Sequence, residues 1–141
     1  MTRSHLICLG LVALLTQTPS AASSNALERV EVGEGEGPSS MSSTFVYQCR
    51  DLVIELRHQR DVHSRSSTFT AVLVNGRRLK PQRMQALNAK VPAHALVLLP
   101  SVTCLTQSIG LWVLVKSPSG LDETPSAFRF RLELSDDFEA P

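Results

Sequence analysis

Beyond the N-terminal segment the chain has three histidines, His58, His63 and His94. His58 and His63 flank Gln59-Arg60-Asp61-Val62, a polar stretch that reads as the end of a strand and a loop. Two imidazoles with a carboxylate between them are metal ligands by type. Arg57, Arg60 and Arg65 crowd the same stretch and would repel a cation, so no metal and no cofactor is expected. Acyl transfer needs a nucleophile beside a base that an acid orients. Serines are abundant here, but they sit in Ser/Gly-rich runs and turns, without a G-x-S-x-G elbow. Neither an H-E-x-x-H pair nor a Gly-rich phosphate loop occurs. The carboxylate pairs Asp122-Glu123 and Asp136-Asp137 read as exposed turn and tail residues. The expectation is a protein that is not an enzyme.

Arginine carries the remaining chemical signal. Residues 50–90 have a net charge of +6, against −2 for 1–49 and −3 for 91–141, in a chain of net +1. Guanidinium groups pair with carboxylates and phosphates through two parallel hydrogen bonds. The residues expected to contact a partner are Arg57, Arg60, Arg65, Arg77, Arg78 and Arg83. They share one positive surface if the first core strand and the Asn75-Gly76 hairpin are neighbours. Two plainer accounts compete. Outward strand positions must be polar in any case, and the acidic residues after position 91 can neutralise the arginines within the same domain. Nucleic acid fits poorly, because such surfaces interleave aromatics with basic residues. Between Arg50 and Arg83 there is only Phe69, which alternation assigns to the core. Tyr47 and Trp112 read as core or near-core residues as well.

These side chains need a scaffold, and the chain's organisation predicts one. Leu6–Leu15 is an apolar run of ten residues behind Arg3. A helix of that length rises roughly 15 Å, about half of a bilayer's hydrocarbon core. With Ser20-Ala21-Ala22 behind it, the run has the anatomy of a signal peptide over 1–22. The expected location is periplasmic or secreted, with no integral membrane segment after cleavage. Residues 23–43 read as a flexible Ser/Gly/Glu-rich tether, within which Leu27–Val32 can form a strand if it finds an edge. The ordered domain is expected over 44–141.

Within that domain the dominant period is two. Leu52, Ile54 and Leu56 alternate with polar neighbours; so do Phe69, Ala71 and Leu73, and Phe128, Phe130, Leu132 and Leu134. Strict alternation marks a half-buried antiparallel strand. Ala95–Leu99 and Leu111–Val115 are apolar on both faces, as in the middle of a packed sheet. Val74-Asn75-Gly76-Arg77 predicts a type I′ hairpin, Ser117–Gly120 a second turn, and Pro100-Ser101 a third break. Pro81–Asn88 predicts a short helix that ends before Pro92. The fold class is all-β: a small antiparallel sandwich of about six or seven strands, with a small closed barrel as the alternative.

Removal of 1–22 would leave Cys49 and Cys104, an even pair in an oxidising compartment, so they are expected to form a disulfide. Tyr47-Gln-Cys49, leading into an alternating strand, resembles the opening of the periplasmic and membrane-bound inhibitors of C-type lysozyme. Ser117-Pro-Ser-Gly120 is similar to that family's Ser-Gly loop, with Leu121-Asp-Glu123 where the family has a tyrosine. The resemblance implies that a small disulfide-closed β domain of this compartment can inhibit an enzyme. The functional expectation is an exported binding module that contacts a protein or an anionic envelope polymer through its arginines, with strand edges as a second contact. The alternatives are an accessory subunit of a secretion, pilus or envelope assembly, and a periplasmic enzyme inhibitor.

Overall fold

The computed structural model describes residues 27–35, 39–116 and 125–140. The 1–22 segment and the Ser117–Gly120 turn lie outside them. The elements run β1 (Leu27–Glu34), β2 (Ser40–Cys49), β3 (Leu52–Asp61), β4 (Ser66–Val74), β5 (Arg77–Arg78), α1 (Pro81–Asn88), β6 (Leu96–Cys104), β7 (Ser108–Lys116) and β8 (Ser126–Glu133). Each sheet is an antiparallel meander, β1-β2-β3-β4-β5 and β6-β7-β8, and no barrel closes among the described residues. Phe45, Tyr47, Leu56 and Phe69 of the larger sheet share one buried cluster with Ile109, Leu111, Val113 and Leu132 of the smaller. The predicted sandwich is present, with eight strands among the described residues where six or seven were expected.

The larger sheet starts earlier than Thr44. The strand allowed for at Leu27–Val32 is β1, and its edge is β2, which begins at Ser40. Ladder hydrogen bonds are made by the backbone, so a Ser/Gly-rich stretch can join a sheet that its composition alone would not predict. In the hairpin at Asn75-Gly76 both residues have positive φ, 48° and 78°, as a type I′ turn requires. The helix occupies the predicted span, with Pro81 in its first turn and Leu87 fully buried.

Three strand readings are corrected by β-bulges and by an open face. In β4, Thr70 is an extra residue between the Arg57↔Ala71 and His58↔Phe69 pairs. One extra residue reverses the phase of a period-two pattern. Val72 and Val74 therefore take core positions, and Leu73 is only half-buried. Pro100 does not break the chain into two strands; it lies within β6, behind a bulge that sets Leu98 and Leu99 against Leu114. An edge strand tolerates proline because one side of it needs no ladder donor. In β7, Leu111, Val113 and Val115 are buried, but Trp112 and Leu114 are exposed. Trp112 is therefore not a core residue: among the described residues no element covers that side of the smaller sheet.

β6 is the strand that joins the layers. Cys104 is bonded to Cys49 of β2, with the Cα atoms 6.1 Å apart. The buried Tyr47 hydroxyl donates to the Pro100 carbonyl, and burial raises its pKa to about 12. The Val97 amide donates to the Ser67 hydroxyl of β4 at 3.1 Å.

Asn88, the last residue of α1, supplies what β5 is too short to supply. Its Oδ1 accepts from the Phe69 amide and its Nδ2 donates to the Phe69 carbonyl, both at 2.9 Å. The side-chain amide thus stands in for a neighbouring strand beside the Thr70 bulge. Asn88→Ala should destabilise the fold by about 2–3 kcal/mol, since it leaves a donor and an acceptor of a core strand unpaired. Urea unfolding of that variant beside Asn88→Asp, which keeps the acceptor alone, checks this; a loss below about 0.5 kcal/mol for Asn88→Ala would refute it.

Candidate functional site

The six arginines expected on one surface fall in three places. Arg57 is on the outer face of β3, where it pairs with Glu55 at 3.1 Å. The register continues from Glu55 through Leu73 to Arg78, so Arg57 and Arg78 lie in adjacent rows of the same open face. Carboxylates are interspersed there, and an ion pair this exposed contributes little.

Arg77 and Arg83 hold the C-terminal segment. Arg77 donates from Nε to the Glu139 carbonyl at 2.9 Å and from Nη1 to the Leu134 carbonyl at 3.3 Å. Arg83, on α1, pairs with Asp137 at 3.0 Å, donates to the Arg131 carbonyl at 2.8 Å and lies over the Phe130 ring. Lys80 joins them by donating to the Asp136 carbonyl at 2.6 Å. Part of the basic stretch is thus engaged by the C-terminal acidic segment of its own domain.

Arg60 and Arg65 are brought together. They line a cavity of about 330 Å³ at one end of the sandwich, with Asp61, Val62 and Leu96. The β3–β4 turn that shapes it is built around Asp61, whose Oδ1 accepts from the amides of His63 at 2.8 Å and Ser64 at 3.0 Å. These amide bonds hold the Asp61 carboxyl below its usual pKa range. Its negative charge is therefore kept inside the turn, a self-hydrogen-bonding role typical of aspartate. From the turn between α1 and β6, His94 donates Nδ1–H to the Ser64 carbonyl at 3.0 Å. Arg65 adopts a left-handed backbone, φ 53°, which turns the chain back into β4. Among the described residues neither Arg60 nor Arg65 forms an ion pair within 4.0 Å.

The two histidines read as loop neighbours are separated. β3 extends through Asp61, which places His58 in a strand, buried, with its ring tilted against Phe69. His63 is exposed in the turn. No group of three or more metal-ligating side chains occurs among the described residues. Sequence reasoning missed Leu96 and Val62 as the apolar floor of the Arg60–Arg65 cavity. Leu96 belongs to the opposite sheet, so no local pattern could have revealed it.

No family model, curated protein or solved structure matches this chain.

Proposed function

We propose that the protein is an exported, non-enzymatic binding module that takes an anionic group, a carboxylate or phosphate, between Arg60 and Arg65. The observation that carries this reading is the juxtaposition of two arginines, without ion-pair partners among the described residues, over an apolar floor in a cavity of about 330 Å³. That volume lies at the lower end of the range for small-ligand sites. It suits one terminal group of a larger molecule, such as an envelope polymer or an acidic protein. Guanidinium groups are suited to planar, two-pronged recognition of such anions. Asp61 does not cancel the site, because its Oδ1 is engaged by turn amides and one net positive charge remains.

Titration of the disulfide-intact chain with polyphosphate and with polyaspartate, at low and high salt, tests the reading. Saturable binding is expected at low salt and should weaken as screening increases. Arg60→Glu combined with Arg65→Glu should weaken it by about tenfold or more, equivalent to about 1.4 kcal/mol. Arg78→Glu should have a smaller effect. Equal affinity in the double variant and the parent would reject the site.

A further inference from the structure

We propose that the outer face of the smaller sheet is a second docking surface, for a partner-protein segment that carries an apolar side chain beside a carboxylate. The inference is independent of the Arg60–Arg65 reading, since the two sites share no residue.

The face is built by the β6 bulge and by alternation in β7 and β8. Trp112, the chain's one tryptophan, is 41% exposed, and Leu114, two residues along, is 37% exposed. The bulge turns Leu99 outward opposite Leu114, and Leu99 is 54% exposed. Leu105 extends the strip beyond Trp112 and borders a cavity of about 500 Å³ with Thr103, Phe130 and Arg131. Single exposed apolar residues are ordinary, but a contiguous strip around a tryptophan marks a contact surface. Tryptophan and arginine are also the side chains most enriched at the energetic centres of protein interfaces.

Charge selects the occupant. Arg129 lies over the Trp112 ring, 4.3 Å from its centroid, and has no acidic partner among the described residues. Arg131, its neighbour on the same face, pairs with Glu133 at 2.7 Å. The face therefore offers an apolar strip beside one uncompensated guanidinium, which an apolar residue next to a carboxylate would complement. A second copy fits less well, because a two-fold contact would bring two unpaired Arg129 side chains into one interface, while Glu133 on that face is already held by Arg131.

Strand addition at this sheet is obstructed. On β6 the Val97 amide is taken by Ser67 and the Pro100 carbonyl by Tyr47. On β8 the Arg131 carbonyl is taken by Arg83 and the Glu133 amide by Asp137. A partner would approach the face and not an edge.

Because Trp112 is the sole tryptophan, indole emission reports on this face alone. The test titrates the disulfide-intact chain with a synthetic peptide alternating Phe and Leu with Asp and Glu, and with its counterpart bearing Lys at every acidic position. The acidic peptide should shift Trp112 emission saturably and the lysine peptide should not. Arg129→Glu and Leu114→Asp, which keep the indole, should each weaken binding by about tenfold or more. Arg60→Glu combined with Arg65→Glu should leave this response unchanged, even if it abolishes binding of anionic polymers. Emission that neither peptide moves, or that both move equally, would overturn the proposal. So would a concentration-dependent shift without peptide, accompanied by dimerisation in sedimentation, since the occupant would then be a second copy.

Discussion

Replacing Cys49 and Cys104 together by serine should lower the stability of the fold by about 4 kcal/mol. The two residues are 55 positions apart in a chain of 141, and the bond between them closes that stretch into a loop. In the chain-entropy account, the main effect is on the unfolded state, whose loop can no longer expand. A loss of that size is a large part of the roughly 5–15 kcal/mol available to a domain. It also falls on the strand that connects the two layers. Without the bond, β6 is held to the larger sheet by the Tyr47–Pro100 and Ser67–Val97 hydrogen bonds and by core packing. Urea unfolding of the serine variant should give a markedly lower midpoint. If that variant does not fold, unfolding of the parent chain with and without reductant gives the same comparison. A midpoint insensitive to reductant would show that the bond is not what holds the layers.

Stability should also fall by on the order of 3 kcal/mol as the pH drops from about 6.5 to about 4, because of His58. Burial against Phe69 is the main reason its pKa is lowered to about 4, and the nearby Arg60 guanidinium adds to the shift. Neither ring nitrogen has a hydrogen-bond partner among the described residues, so a charged ring would be buried without compensation. Between those two values the unfolded chain binds a proton that the folded chain excludes. The stabilisation is therefore complete above pH 6.5, declines as the pH falls, and changes no further once the folded form is protonated too. His58→Leu should flatten this part of the profile. It should match or exceed the parent at neutral pH, because it removes two unpaired buried polar atoms. A variant that keeps the parent's slope between pH 6.5 and 4 would assign the effect to other groups. Asp61, held low by its turn amides, contributes at more acidic pH.

Much of the fold was legible because its signals are local. Alternation at Leu52–Leu56 and Phe128–Leu134 implied half-buried strands, and Asn75-Gly76 implied the turn that positive φ at both residues requires. Pro81–Asn88 showed its proline start and its apolar spacing at Met84 and Leu87. Cys49 and Cys104, the pair left once the expected signal peptide is set aside, are the two that bond between layers. The arginines of the candidate site were legible as residues, but not as a constellation.

The sequence by itself thus determined the all-β class, the hairpin, the helix and the cysteine pair, since each depends on residues close in the chain or on simple parity. Only the tertiary structure decided which arginines stand together, that His58 is buried while His63 is exposed, and that Trp112 faces outward. The first two depend on strand register and turn placement, and the third on the lack of any element over that side of the smaller sheet among the described residues. The extra residue at Thr70 and the doubled Leu98-Leu99 change which face a side chain takes without altering the local pattern around it. The C-terminal segment then meets Arg77 and Arg83 across more than fifty residues, which leaves Arg60 and Arg65 as the predicted pair gathered at a cavity. Local propensity cannot determine such a partition, because it depends on backbone partners and opposing layers distant in the chain.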